Sequence, residues 1–86
     1  MVDLTGKYFT YLEPSDGRKS FNKKAKVYHS DRYLYLQSYD TIVARYNLDT
    51  SRFEVFGLYS QTTKRHIKAF MQELYLDYDQ VEKYIV

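Results

Sequence analysis

Cysteine is absent from this 86-residue chain. No disulfide can staple the fold, no thiolate can bind zinc, and no thiol can serve as a nucleophile. Tryptophan is absent too, proline occurs once and glycine three times. No apolar run approaches the ~18 residues needed to span a membrane. Met1-Val2-Asp3-Leu4 lacks the basic and apolar regions of a signal peptide. No repeat, low-complexity tract or linker interrupts the sequence. A single soluble domain spanning residues 1–86, in a reducing cytoplasm, is expected.

Catalytic signatures are missing as well. There is no G-x-S-x-G, no phosphate-binding glycine loop and no H-E-x-x-H. His29 and His66 are the only side chains whose ordinary pKa lies near neutrality. His66 falls beside an apolar stripe and is expected to pack against the sheet; His29 falls near a strand end. Asp77 and Asp79 stand two apart, but short loops often gather acids, and a general acid–base pair needs geometry as well as spacing. The expectation is a protein that is not an enzyme and carries neither cofactor nor metal.

What the chain does have is aromatic residues: 11 Tyr and 5 Phe, 19% of the sequence. A domain this short buries only about 60% of its unfolded surface. Without a staple its core must suffice, and rings that bury roughly 150–250 Å² each are dense core material. The net charge is only +2, yet it is unevenly spread. All Lys and Arg except Lys83 precede residue 69, whereas Glu73, Asp77, Asp79 and Glu82 gather in the tail. A basic body and an acidic tail are the result.

Period-two patterns predict strands over Lys7–Leu12, Lys24–His29, Arg32–Ser38, Thr41–Leu48 and Arg52–Phe56. Pro14-Ser15-Asp16-Gly17 has turn chemistry, and Asp49-Thr50-Ser51 reads as a short hairpin loop. Leu34 and Leu36 alternate with Tyr33 and Tyr35, as in a sheet whose second face is only partly covered. Ile42, Ala44, Tyr46 and Leu48 are expected to share a face. Gly57 marks a bulge or the close approach of another backbone. Thr63, Ile67, Phe70, Met71 and Leu74 make one helical stripe, capped by Ser60 or Thr62. Asp79 and Glu82 have the spacing of a capping box for a short final turn, with a last strand through Val81–Val86 as the alternative. The fold class is α+β: an antiparallel meander of about five strands with one main C-terminal helix packed on the sheet.

Two binding surfaces suggest themselves. Arg18, Lys19, Lys23, Lys24 and Lys26 form a basic stretch interleaved with Phe21 and Tyr28, and Lys64, Arg65 and Lys68 form a second basic stripe. Lysine and arginine neutralise phosphates, and aromatic faces stack unpaired bases. The alternative is a protein-binding surface built from Tyr33, Tyr35, Tyr39 and the acidic tail residues Asp77, Tyr78 and Asp79, since Tyr is enriched at interface hot spots. The bland alternatives are solvated faces, tyrosines chosen for strand propensity, and lysines that keep edge strands apart.

Gly17-Arg18-Lys19-Ser20-Phe21, Lys24-Ala25-Lys26-Val27, Ser38-Tyr39-Asp40-Thr41-Ile42-Val43-Ala44 and the run Tyr59–Phe70 resemble a family of short proteins. These are encoded by phages, plasmids and integrated elements of Gram-positive bacteria and are labelled a domain of unknown function. The similarity covers roughly residues 17–76. Its most specific piece is the helix start formed by Tyr59, Ser60, Thr62, Thr63, His66 and Ile67. Family members often carry Gly where this chain has Ser51, and a Trp-containing segment that is missing here. The resemblance implies a setting rather than an activity: an accessory gene of a mobile element. In that setting it implies a host-protein partner, as for anti-CRISPR inhibitors of host defence, in a bacterial cytoplasm. Nucleic acid is the alternative partner, and the chain is expected as a monomer or homodimer.

Overall fold

The structure is a computed structural model that describes residues 7–14 and 21–86. The turn expected at Pro14–Gly17 therefore lies largely outside the described residues, as do Arg18 and Lys19. Five strands, β1 (Tyr8–Tyr11), β2 (Ala25–His29), β3 (Tyr33–Ser38), β4 (Thr41–Asn47) and β5 (Phe53–Val55), form one antiparallel sheet in the order β1-β2-β3-β4-β5. One helix, α1 (Gln61–Glu73), and a 3₁₀ segment, Tyr78–Tyr84, follow. The expected α+β meander with a single main helix is the observed fold. Among the described residues, no helix is long and apolar enough to cross a membrane.

The core lies between α1 and one face of the sheet. Val27, Leu36, Ala44, Phe53 and Val55 meet Ile67, Phe70 and Met71 there, with Leu34 and Tyr46 packed at the margin. Leu34 and Leu36 thus point as expected, away from Tyr33 and Tyr35. Strand β4 departs from simple alternation. Leu36 pairs with Ala44 but Gln37 with Ile42, so Val43 is the extra residue of a bulge and is buried. Ile42 is thereby shifted off the face that holds Ala44 and Tyr46. Leu48 is exposed in the following loop. There the Asn47 carboxamide oxygen accepts from the backbone N–H of Asp49 and Thr50, a local turn typical of Asn.

Ser60 caps α1: its hydroxyl accepts from the Thr63 N–H at 3.1 Å, a bond worth about 1 kcal/mol. The helix ends in a Schellman motif. Leu76 N–H donates to the Met71 carbonyl and Tyr75 N–H to that of Gln72, with Tyr75 left-handed at φ 59°. The 3₁₀ segment is capped by Asp77, whose carboxylate accepts from Asp79 N–H at 3.0 Å. Asp79, the expected cap, is instead inside the first turn. The tail forms no strand over Val81–Val86; only Ile85 bridges β5, in parallel with Val55. Gly57 is approached by a ring rather than a backbone: a Cβ there would sit 2.8 Å from the Tyr59 ring.

Candidate functional site

The sheet face opposite α1 is tiled with rings and cations. Cross-strand pairing aligns Phe9, Tyr28, Tyr35, Arg45 and Glu54 in one row and Tyr11, Lys26, Gln37 and Ile42 in the next. Directly opposed residues share a face, so this surface follows from register alone. Both helical elements pack on the other side, against the core. No described element covers the ring-bearing face.

Its two halves differ in electrostatics. Over β3 to β5, the rings of Tyr33 and Tyr35 lie 5.4 Å apart. The Arg45 guanidinium sits 4.7 Å from the Tyr33 centroid and 5.8 Å from that of Phe56. Its Nε donates to Glu54 Oε1 at 2.7 Å. That hydrogen bond to Glu54 above all raises the Arg45 pKa, against the opposing effect of desolvation. Tyr35 is only 7% exposed. This half is neutralised and closed by its own side chains.

Over β1 and β2 the cations have no such partner. Phe9 packs 5.2 Å from Tyr28 and 5.4 Å from Tyr11, centroid to centroid. Lys26 Nζ lies 5.2 Å from the Phe9 ring and 6.0 Å from that of Tyr11, and Lys23 Nζ lies 5.6 Å from Tyr11. Neither lysine pairs with a carboxylate among the described residues. Lys23 is aimed by a strained turn. Asn22 and Lys23 both have positive φ, 54° and 63°, and Lys24 N–H closes the turn on the Phe21 carbonyl at 3.0 Å. A left-handed non-glycine residue costs about 1–2 kcal/mol, so two in succession mark a turn held by its surroundings.

The residues expected to bind protein are not brought together. Tyr33 and Tyr35 lie on the open face. Tyr39 sits in the β3–β4 turn at φ 56°, with its ring 5.8 Å from His66 on the helix side. Tyr78 is half-buried against the core, and burial raises its pKa. Asp77 is engaged as a cap, and Asp79 is exposed beside it. The basic residues divide too. Lys23 and Lys26 reach the open face, Lys24 is exposed beside them, and Lys64, Arg65 and Lys68 belong to α1 in the other layer. Arg65 lies 5.1 Å over the Phe21 ring.

His66 is fully buried. Its Nδ1 is 2.7 Å from Ser38 Oγ, which is 3.0 Å from Thr63 Oγ1. The Phe21 ring meets it edge-on at 4.5 Å. Desolvation first, and Arg65 second, lower its pKa to about 4. A neutral imidazole sealed between sheet and helix ties the two layers together. Among the described residues, no group of three His, Asp or Glu converges as a metal site would require.

Sequence reasoning passed over Phe9, Tyr11 and Arg45 as site residues. Their strands were legible, but the signal that unites them is cross-strand register, which a single strand's alternation does not contain.

Comparison with known protein families matches the chain to a family of unknown function, DUF8033, over residues 10–84. The chain belongs to this family. The match includes all of β2 to β5, α1 and the 3₁₀ segment, and so extends beyond residues 17–76, where the resemblance was noted. No curated protein and no solved structure matches the chain. Membership in DUF8033 therefore brings no activity with it.

Proposed function

We propose that this DUF8033 chain is a non-enzymatic binding protein that takes single-stranded nucleic acid on the open face of its sheet. The observation that carries this reading is the pair of lysines, Lys23 and Lys26, held over the rings of Phe9 and Tyr11 with no carboxylate partner among the described residues. Rings offer stacking worth roughly 1–3 kcal/mol per base, and ammonium groups beside them suit the phosphates between those bases. Phe9 and Tyr11 point to the same face of β1 with their ring centroids 5.4 Å apart, so neighbouring unstacked bases can each meet a ring. A duplex hides its base faces, so the reading favours single strands over double.

The dispersal of Tyr39, Tyr78 and the acidic tail weighs against a single protein-binding surface made of those residues together with Tyr33 and Tyr35. In the setting implied by the family resemblance, a mobile element of a Gram-positive bacterium, a single-strand binder would serve as an accessory function in the host cytoplasm.

The test is a fluorescence-anisotropy titration of the intact chain and of a Lys23→Ala/Lys26→Ala variant. Probes are single-stranded DNA, RNA and duplex DNA, each at low and near-physiological salt. The expected result is single-strand binding that weakens steeply with salt. The double variant should show a salt slope shallower by about 1.4, two phosphate contacts at ~0.7 each. Equal affinity of variant and parent would overturn the assignment. No binding even at low salt would point instead to a host protein as the ligand, as in an anti-defence inhibitor.

A further inference from the structure

The two edges of the sheet are not alike. The β5 edge is partly closed by the chain's own end, where Val86 N–H donates to the Val55 carbonyl at 3.0 Å and Ile85 bridges Val55. The β1 edge has no partner among the described residues. Exposed edges are usually protected by shortness, an inward charge, a proline or a bulge. Tyr8-Phe9-Thr10-Tyr11 is short at four residues but holds no charge, proline or bulge, and Tyr8 is 68% exposed.

We infer that β1 pairs antiparallel with β1 of a second copy of this chain, centred on Thr10. The hydrogen-bonding phase fixes which groups are available. Leu12 N–H donates to the Ala25 carbonyl, and the register Tyr8–His29, Thr10–Val27 continues that phase. Tyr8, Thr10 and Leu12 therefore turn their backbone groups toward β2. Phe9 and Tyr11 turn theirs outward. Pairing about a two-fold axis at Thr10 sets Phe9 opposite Tyr11 of the second copy, and Tyr11 opposite its Phe9. These are the outward-facing groups, so four backbone hydrogen bonds can form.

The side chains agree with this register. Phe9 and Tyr11 lie on the open face, so the junction becomes a cross-strand aromatic cluster. Thr10 meets Thr10 on the opposite face. Beyond Phe9 and Tyr11, Tyr8 falls opposite Leu12 of the other copy, and Lys7 opposite its Glu13, at both ends of the ladder. A two-fold interface must be self-complementary, and this strand is so in phase, in apolar character and in charge. The product is a continuous ten-stranded sheet that doubles the ring-and-lysine face. A ladder of four residues per copy is a small contact, so the dimer is expected to be weak.

Sedimentation velocity of the intact chain from about 5 to about 500 µM tests this by mass action. The expected result is a concentration-dependent shift from monomer to dimer. Thr10→Lys sets like charges directly opposite and should weaken association roughly fivefold, with circular dichroism confirming the fold. Lys7→Glu alone and Glu13→Lys alone should each weaken it, and the double exchange should restore it. That rescue depends on register and does not rely on Thr10→Lys folding. A chain that stays monomeric throughout overturns the inference, even if it captures a foreign extended peptide. Association that persists in folded Thr10→Lys, or a charge exchange that fails to rescue, overturns it equally.

Discussion

Acidification from pH 7 to pH 5 should destabilise this fold, and His66 is the reason. Its ring is 0% exposed, and burial lowers its pKa to about 4 from the ordinary 6.5. In the unfolded chain the imidazole takes up a proton near 6.5; in the folded chain it resists until about 4. The unfolded state thus binds more protons across that window, and stability falls as pH falls. The contribution is complete above pH 6.5, is lost progressively below it, and is exhausted below about 4. A shift of 2.5 units corresponds to about 3 kcal/mol in full, of which about 2 kcal/mol is lost by pH 5. For a domain of ordinary marginal stability that is a large fraction. Denaturant unfolding at pH 7 and pH 5 measures it as a drop in midpoint at constant slope. His66→Leu removes the titrating group while leaving the Ser38–Thr63 hydrogen bond in place, so its midpoint should change far less between the two pH values. A parent stability unchanged from pH 7 to pH 5, or a variant that loses as much as the parent, would refute the reasoning.

Other outcomes follow from the same structure. Ser38→Ala strips the partner from His66 Nδ1 and leaves Thr63 Oγ1 with Ser60 Oγ alone, and should cost about 1–3 kcal/mol by denaturant unfolding. Tyr75→Gly should stabilise by about 1 kcal/mol, because Tyr75 is left-handed in the Schellman motif yet 96% exposed, so it loses strain and no packing; thermal melts would show it.

The elements of this fold were legible because each rests on local chemistry. Alternation in β3, with Leu34 and Leu36 against Tyr33 and Tyr35, decides a face without reference to any other strand. Ser60 capping Thr63 and the stripe through Ile67, Phe70 and Met71 are likewise written within one stretch of chain. The departures needed partners. The bulge that buries Val43 and turns Ile42 off the core face arises between β3 and β4, where neither strand signals it alone. The C-terminal segment illustrates competition between equivalents: Asp77 and Asp79 can each cap a turn, and the Schellman motif ending α1 determines which one arrives first.

The candidate site shows the same division. Lys23, Lys26 and Tyr28 were visible as a basic and aromatic stretch. Their association with Phe9 and Tyr11 depends on β1 pairing with β2 at a particular register. The tyrosines that look like one row in sequence part company at the β3–β4 turn, where the positive φ of Tyr39 carries its ring to the helix side. Tyr35, expected on an open surface, is instead buried by its neighbours around Arg45. Tyrosine-rich strands can therefore protect a sheet face and present one at the same time.

The most direct test of a nucleic-acid site on the open face is a titration of isotope-labelled protein with a short pyrimidine single strand, followed by amide and side-chain chemical shifts. The account predicts perturbations concentrated at Phe9, Tyr11, Lys23, Lys26 and Tyr28. Perturbations confined to α1 or to the segment from Asp77 to Tyr84, or none at low salt, would contradict it.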